Sequence, residues 1–208
     1  MSTSTTSSTS SATSVATGRY RWRVVDIVVA AVVAVACAVV FVAWNAGSHI
    51  LDPLGALLPG LQSVGYGLWL LGGPLVALII RKPGAALFGE LVAAAVSMLF
   101  GAPWGLQTLE SGLVQGLAAE LVFAIFVYRV WSWPVAALAG AVAGAAAGVN
   151  DWIFYYAGAD AVFLTVYIVG AAISGALIAG VGSWALVKGL ARTGALARFA
   201  SGRQAERV

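Results

Sequence analysis

The sequence has few of the residues that enzymes use for chemistry. Only 9% of its 208 residues are charged, and it contains one cysteine, Cys37, and one histidine, His49. A single cysteine cannot form an intrachain disulfide or a cysteine-based metal site, and a single histidine excludes a multi-histidine metal centre. No G-x-x-x-x-G-K-[ST] segment occurs, so ATP binding by a P-loop is excluded. We therefore expect no catalytic residue, no metal and no cofactor, and the chain is not expected to be an enzyme.

The scarcity of charge also argues against a water-soluble domain, which would carry about 25% charged residues. Hydrophobic residues make up 61% of the chain, and the mean hydropathy is +0.95. The longest polar stretch is residues 1–18, which consists mostly of Ser and Thr, and such a segment cannot bury a core. We expect an all-α integral membrane protein with a disordered leader at 1–18.

Six runs with little or no charge are long enough to cross a hydrocarbon core of about 30 Å. Only helices and closed barrels satisfy the backbone within lipid, so each run is predicted to be a helix. One proline, Pro74, lies inside a run and predicts a kink there. The expected spans are approximately 24–44, 57–80, 84–102, 111–129, 134–157 and 161–187, within a membrane domain at 19–190 that precedes a basic cytoplasmic tail at 191–208.

The basic residues orient these six spans. All 11 Lys and Arg residues fall at one end of the expected bundle: within 19–23, at 81–82, at 129 and after 187. Because cytoplasmic loops carry an excess of Lys and Arg, that end is predicted to be cytoplasmic. Both termini are then inside, and the outer connections contain no Lys or Arg.

Small residues recur every four positions on three spans, which lets helix backbones approach closely in lipid. Packing within the bundle accounts for all three stripes, and the stripe on the first span has a second interpretation as a docking surface for another membrane subunit. The residues are Gly140, Gly144 and Gly148 on the fifth span, Ala171, Gly175 and Ala179 on the sixth, and Ala30, Ala34 and Ala38 on the first.

Polar groups within the spans are the candidate functional residues, because burying an ionisable group in a bilayer is costly. Counting about 1.5 Å per residue from the expected span ends puts Glu90 roughly 9 Å above the inner edge and Glu120 roughly 14 Å below the outer edge. The two acids are therefore expected to face one cavity, together with Gln115 and with Asp151 at the outer end of the fifth span.

Several aromatic residues are also expected in the outer half, among them Tyr66, Trp69 and Trp104. An interfacial aromatic belt explains such residues, and the alternative explanation is a cage that stacks on a flat or cationic ligand. Because this half has acids but no Lys or Arg, the charge pattern favours an aromatic cation over an anion.

Four stretches resemble the substrate-binding membrane subunits, or S components, of energy-coupling-factor (ECF) transporters for thiamine or its hydroxymethylpyrimidine (HMP) precursor. The likeness runs over residues 19–190, and the junction of the second and third spans and the fourth-span segment are its specific parts. The stretches are Tyr66-Gly67-Leu68-Trp69, the segment from Arg81-Lys82-Pro83-Gly84 to Glu90, the segment Val114 to Phe123, and Asp151.

The resemblance implies a six-helix, ECF S-component-like bundle in the cell membrane that captures the vitamin on the outer side. It implies docking on a transmembrane coupling subunit that carries two cytoplasmic ATPase subunits, and it implies no nucleic-acid partner. The implied ligand contacts are charge or amino-group partners at Glu90, Glu120 and Asp151, a hydrogen-bonding group at Gln115, and stacking at Tyr66, Trp69 and Trp104; the implied docking stripe is Ala30, Ala34 and Ala38.

Two alternatives stay open at this point. A self-sufficient, proton-coupled transporter of aromatic cations would use Glu90 and Glu120 as its proton-carrying groups. A membrane scaffold without transport activity would make both acids incidental, which the cost of two carboxyl groups in lipid argues against.

Overall fold

A computed structural model describes residues 20–205, and throughout that range the regular structure is helical, with no strand. The expected all-α class is confirmed, and the leader at 1–18 lies outside the described residues. The elements are α1 (Val24–Gly47), a 3-10 turn (Ser48–Leu51), α2 (Asp52–Leu57), a 3-10 helix (Leu61–Leu70), α3 (Gly72–Ile80), α4 (Ala85–Leu99), α5 (Gln107–Ile125), α6 (Trp133–Phe154), α7 (Ala161–Ser174), a π-helical segment (Gly175–Gly182), α8 (Ser183–Arg192) and α9 (Ala200–Ala205).

Five helical stretches of the described residues are long and apolar enough to cross a membrane. They are Val24–Leu57, Leu61–Ile80, Gln107–Ile125, Trp133–Phe154 and Ala161–Arg192. The sixth apolar helix, α4, is shorter than these five. At a rise of about 1.5 Å per residue it covers roughly 22 Å. It is also shorter than the expected span at 84–102, because the chain leaves the helix before Gly101, whose φ is +87°.

The second span differs from the single kinked helix expected at 57–80. Its outer part is the 3-10 helix Leu61–Leu70, and α3 begins only at Gly72. Pro74 therefore lies in the first turn of α3, where its missing N–H needs no partner, and it does not kink the helix. Close packing explains the unusual backbone, since a side chain at Gly67 would collide with the backbone of Ser174 on α7.

The two ends of the described chain meet at the same end of the bundle. Lys82 Nζ donates to the Arg21 carbonyl (2.6 Å), and the Trp22 indole donates to the Pro83 carbonyl (2.9 Å). From the other terminus, Ser201 Oγ donates to the Ile79 carbonyl (3.1 Å). The basic segments therefore gather at one end, which we call the basic end; the opposite end, with the connections 48–60, 100–106 and 155–160, is the acidic end. Helix α9 lies within the expected tail at 191–208.

The alanine stripe of α1 is buried inside the bundle. Ala30, Ala34 and Ala38 are each at most 1% exposed, and α1 packs against α4 and α3. The exposed face of α1 instead carries large residues such as Val32 and Val39, which are 64% exposed. This corrects the expectation of a docking surface at the alanines: small size serves close packing with neighbouring helices of the same chain.

The glycine stripe of α6 allows the closest backbone contact in the bundle. A Cβ on Gly140 would overlap the carbonyl oxygen of Gly175, and a Cβ on Gly144 would overlap that of Ala171. The partners of this stripe are thus α7 and the π-helical segment. The two small-residue patterns expected from the sequence pack against each other.

We predict that Gly140→Ala destabilises the protein by about 1–3 kcal/mol, because the added methyl group must displace backbone atoms. Gly189→Ala is the matched control, since α8 leaves open space around Gly189. The control should be neutral or stabilising by about 0.5–1 kcal/mol. Thermal unfolding of the two purified variants in detergent measures the difference, and equal melting temperatures would contradict the packing described here.

Candidate ligand-binding site

A cavity of about 350 Å³ opens toward the acidic end of the bundle. Its walls come from α1, the 3-10 helix Leu61–Leu70, α4, α5, α6 and α7. The polar lining includes Asn45, Ser63, Glu90, Ser97, Thr108, Gln115 and Asp151, and the aromatic lining includes Trp44, Tyr66, Trp69, Trp104, Tyr155, Tyr156 and Tyr167.

Glu90 lies at the buried base of this cavity and is only 1% exposed. Its Oε2 accepts a hydrogen bond from the backbone N–H of Gly73 (2.6 Å), in the first turn of α3. Space for the carboxyl comes from small residues on the neighbouring helices: the Cα of Gly116 faces the Glu90 Cβ closely enough that a side chain there would crowd it. The second oxygen, Oε1, is buried and has no hydrogen-bond partner within residues 20–205.

Unpaired polar atoms are concentrated in this cavity. Buried polar groups in proteins are nearly always hydrogen-bonded, and each exception calls for an explanation. Six buried side-chain atoms lack a partner among the described residues, and only Ser183 Oγ lies away from the cavity. The other five are Trp44 Nε1, Gln62 Oε1, Ser63 Oγ, Glu90 Oε1 and Thr108 Oγ1. They offer both donors and acceptors to a bound polar molecule.

Asp151 is held in place by two tyrosines on the wall of the cavity. The hydroxyl groups of Tyr66 and Tyr167 both donate to Asp151 Oδ2, at 2.9 and 2.8 Å. All three residues are at most 8% exposed. Because both tyrosines donate to the same oxygen, the carboxyl group is oriented from one side and is held in the cavity lining.

Trp69 is the centre of an aromatic cluster at one side of the cavity. Its ring meets those of Tyr66 and Trp104 edge to face, with centroids 5.5 and 5.6 Å apart, and that of Trp44 lies 6.1 Å away. Its indole N–H donates to Asn45 Oδ1 (2.8 Å), which fixes the ring plane. Such a cluster presents rigid ring faces and edges to a flat ligand.

The structure brings together six of the seven ligand-contact candidates. They are Tyr66, Trp69, Glu90, Trp104, Gln115 and Asp151, all in the cavity lining. Their role as ligand contacts stays a prediction. Among residues 20–205 no group of three His, Cys, Asp or Glu side chains is placed to hold a metal ion.

Glu120, the seventh candidate, lies outside the cavity, which corrects its expected position. Its Oε1 accepts from the N–H of Gly84 (2.6 Å), and its Oε2 accepts from the N–H groups of Ala86 (2.8 Å) and Leu87 (3.3 Å). It thus caps the N-terminus of α4 from a neighbouring helix, where the helix dipole favours negative charge. Burial, together with the nearby Glu120 carboxylate, raises the pKa of Tyr128.

Helix register explains why the depth estimate failed. Helix α5 begins at Gln107, before the start at 111 that the sequence suggests. At about 1.5 Å per residue, the earlier start moves every residue of α5 roughly 6 Å toward the basic end. Across the antiparallel pair, Gly112 faces Ala94 and Gly116 faces Glu90. Glu120 therefore lies level with the first turn of α4, one turn closer to the basic end than Glu90.

Sequence reasoning missed several residues of the cavity. Tyr167 was overlooked because it lies in the middle of an apolar run. A buried tyrosine hydroxyl needs a hydrogen-bond partner, and this need is the signal that could have identified it. Asn45 follows Trp44 as a single polar residue, Ser63 follows Gln62, and neither forms a spacing pattern with other polar residues. Trp152, another aromatic residue of the expected outer half, is 41% exposed and does not line the cavity.

We predict that Glu120→Gln lowers the stability of the protein by about 1–3 kcal/mol, because the amide has one acceptor oxygen for three partly buried backbone donors. Glu110→Gln on the same helix is the control: Glu110 accepts one side-chain bond, from Asn150 Nδ2 (3.0 Å), which the amide oxygen can still accept. Its effect should stay within about 1 kcal/mol. Thermal unfolding in detergent compares them, and equal losses would contradict the capping role.

Three comparisons with known proteins agree with this architecture. The family model for the permease component of an ABC-type cobalt transport system matches residues 25–146. YkoE of Bacillus subtilis, a candidate HMP/thiamine permease protein, is 36% identical over 184 residues, which are 88% of this chain and 92% of that protein. The crystal structure of an S-component of an ECF transporter superposes with a TM-score of 0.81 at 35% identity, covering 90% of this chain and 94% of that chain.

Proposed function

The chain belongs to the family of ECF-transporter S components, and we propose that its cavity binds thiamine or the HMP precursor of thiamine. Members of this family are substrate-binding, multi-pass membrane subunits of an importer and not enzymes. The ligand class is suggested by the named role of the relative YkoE. The argument for it in this chain depends on the cavity itself.

The unpaired oxygen of Glu90 carries the proposal. A buried carboxyl oxygen without a partner costs free energy that a ligand donor recovers on binding. The aminopyrimidine ring shared by thiamine and HMP has an exocyclic amino group, which is a donor, and ring nitrogens, which are acceptors. The unpaired set around Glu90 is complementary: the carboxyl oxygen accepts, while the indole N–H of Trp44 and the hydroxyl of Thr108 donate.

The remaining half of thiamine is a cationic thiazolium ring, and the rest of the cavity suits a flat cation. Asp151 supplies a fixed carboxyl group on the wall. Tyr66 and Trp69 supply aromatic surface beside it, and aromatic faces attract cations, most strongly when water is excluded. Gln115 adds an amide to the lining that can hydrogen-bond to either ring system.

Uptake by this chain requires an energy source that its own residues do not provide, since the sequence has no P-loop. We propose that it works with a transmembrane coupling subunit and two cytoplasmic ATPase subunits, which release the vitamin inside. The alanines of α1 do not form the docking surface, because they are buried within the bundle.

The structure does not support the arrangement of acids on which the alternative of a proton-coupled transporter was based. That hypothesis needed Glu90 and Glu120 to face one path through the membrane. The carboxyl of Glu120 is instead occupied by three backbone amides of α4, and it does not line the cavity.

A calorimetric titration of the purified, full-length chain tests the proposal. The panel is thiamine, HMP, the isolated thiazole alcohol and riboflavin. We expect thiamine and HMP to bind, with riboflavin absent or much weaker because its three-ring system does not match the donor and acceptor set. Binding of the thiazole alcohol with no binding of HMP would contradict the role given to Glu90.

We predict that Glu90→Gln weakens thiamine binding by roughly 10- to 100-fold, equivalent to about 1.4–2.8 kcal/mol. The amide keeps an acceptor for the Gly73 N–H but turns an NH₂ group toward the ligand donor, which cannot accept a hydrogen bond. Glu120→Gln is the matched control, the same substitution one helix away and outside the cavity. Its thiamine affinity should stay within about threefold of the parent's, although its stability falls.

The opposite pattern, with affinity lost in Glu120→Gln and kept in Glu90→Gln, would contradict the placement of the ligand in this cavity.

A further inference from the structure

The acidic end carries negative charge without a matching cation. Asp52, Glu110, Asp151 and Asp160 lie there, and the connections 48–60, 100–106 and 155–160 contain no Lys or Arg. The described Lys and Arg side chains all belong to segments 21–23, 81–82, 129 and 188–198, at the basic end. An anion that approached the cavity would therefore meet like charge at the mouth and no counter-ion.

The one group at the mouth that can carry positive charge is His49, and it already has an acidic partner. Its Nδ1 lies 3.1 Å from Asp52 Oδ2, and both side chains are largely exposed. Both residues line the cavity. A protonated His49 would at most neutralise Asp52, so the pair offers no net positive charge to a ligand.

Helix N-termini are the other common anion sites, because their free N–H groups and dipoles attract phosphate. Three α-helices of eight or more residues begin on the ligand side of the bundle, and each has a carboxyl group of this chain at its start. The 3-10 helix Leu61–Leu70 also begins there without an acidic residue, but the N–H groups of Leu61 and Ser63 already donate to the carbonyls of Leu58 (3.0 Å) and Gly60 (3.2 Å). In α3, Glu90 accepts the Gly73 N–H. In α5, Glu110 lies in the first turn. In α7, Asp160 is the N-cap and accepts from the N–H groups of Val162 (2.9 Å) and Phe163 (3.0 Å).

We propose that the cavity selects against phosphate esters of its ligand by electrostatic exclusion, so that only the dephosphorylated vitamin or precursor is bound. This inference rests on the proposed function, which supplies the ligand, and adds a specificity rule to it. We assign Asp52 as the specificity-determining residue, because it is an exposed acid of the cavity lining that caps no helix of the bundle core. Among residues 20–205, no lysine or arginine lies at the mouth to receive a phosphate on the alcohol arm of the ligand, and each α-helix that begins there already has a carboxyl group at its start.

The rule places the transporter within a reaction sequence. Phosphorylated ligand outside the cell must first lose its phosphate by ester hydrolysis, in which water cleaves the P–O bond and releases inorganic phosphate. Phosphoryl transfer from a nucleoside triphosphate inside the cell must then restore any phosphate that metabolism requires.

The test compares thiamine with thiamine monophosphate by calorimetry on the purified full-length chain. We expect thiamine to bind at least about tenfold more tightly at low salt. Raising the salt from about 0.01 M to about 1 M shortens the Debye length from about 30 Å to about 3 Å, so the monophosphate should gain at least about threefold in affinity while thiamine does not gain. Equal affinities at low salt would overturn the inference.

Variants at Asp52 distinguish an electrostatic cause of weak monophosphate binding from a steric one. Asp52→Asn and Asp52→Lys should raise monophosphate affinity in that order, by about threefold or more for the lysine, and should not raise thiamine affinity. Val24→Lys is the control: it changes net charge by the same amount as Asp52→Asn, but Val24 is 78% exposed, does not line the cavity and lies at the basic end of the bundle, away from the mouth. It should leave the ratio of the two affinities unchanged.

The outcomes distinguish this inference from the proposed function. Binding of thiamine with weak monophosphate binding that neither salt nor Asp52→Lys relieves indicates a steric limit and overturns the electrostatic rule, while the function stands. Failure of both thiamine and HMP to bind would overturn the function itself.

Discussion

The contact between the Glu90 carboxyl and the Gly73 amide is the interaction on which the arrangement of the cavity depends. It fixes the start of α3 to the middle of α4 at 2.6 Å. Because the second span enters as the 3-10 helix Leu61–Leu70 and becomes α-helical only at Gly72, the Gly73 N–H in its first α-helical turn bonds to a side chain and not to a carbonyl of its own helix. One oxygen of Glu90 satisfies this N–H, and the other remains open to the cavity.

The same device recurs at the basic end. There Glu120 reaches from α5 to three amides at the start of α4, so α4 accepts a carboxyl group at its own start and supplies the Glu90 carboxyl to the start of α3. The two acids differ in what remains open. Glu120 has both oxygens engaged by backbone donors, whereas Glu90 has one oxygen in reserve. Two carboxyl groups in an apolar bundle thus take different roles, one holding the fold and one available to a ligand.

Much of this molecule could be predicted from the sequence, and the errors have physical causes. Charge-free runs gave the helical class and the approximate spans, and the cost of polar groups in lipid singled out Glu90 and Asp151 correctly as lining residues. Glu120 was misplaced because depth was counted from an assumed helix start, and an error of about one helical turn there moves a side chain by roughly 5–6 Å. The prediction of a docking surface at the alanines of α1 was wrong because a stripe of small residues is compatible with packing inside the bundle as well as with docking on a partner. Neither register nor burial is encoded in local spacing.

A structure of the full-length chain with thiamine bound tests the central claim most directly. The account predicts that the amino nitrogen of the aminopyrimidine lies within about 2.7–3.2 Å of Glu90 Oε1, with the thiazolium ring beside Asp151 and Trp69. A ligand bound outside this cavity, or a ligand within it that leaves Glu90 Oε1 without a hydrogen-bond partner, would contradict the account.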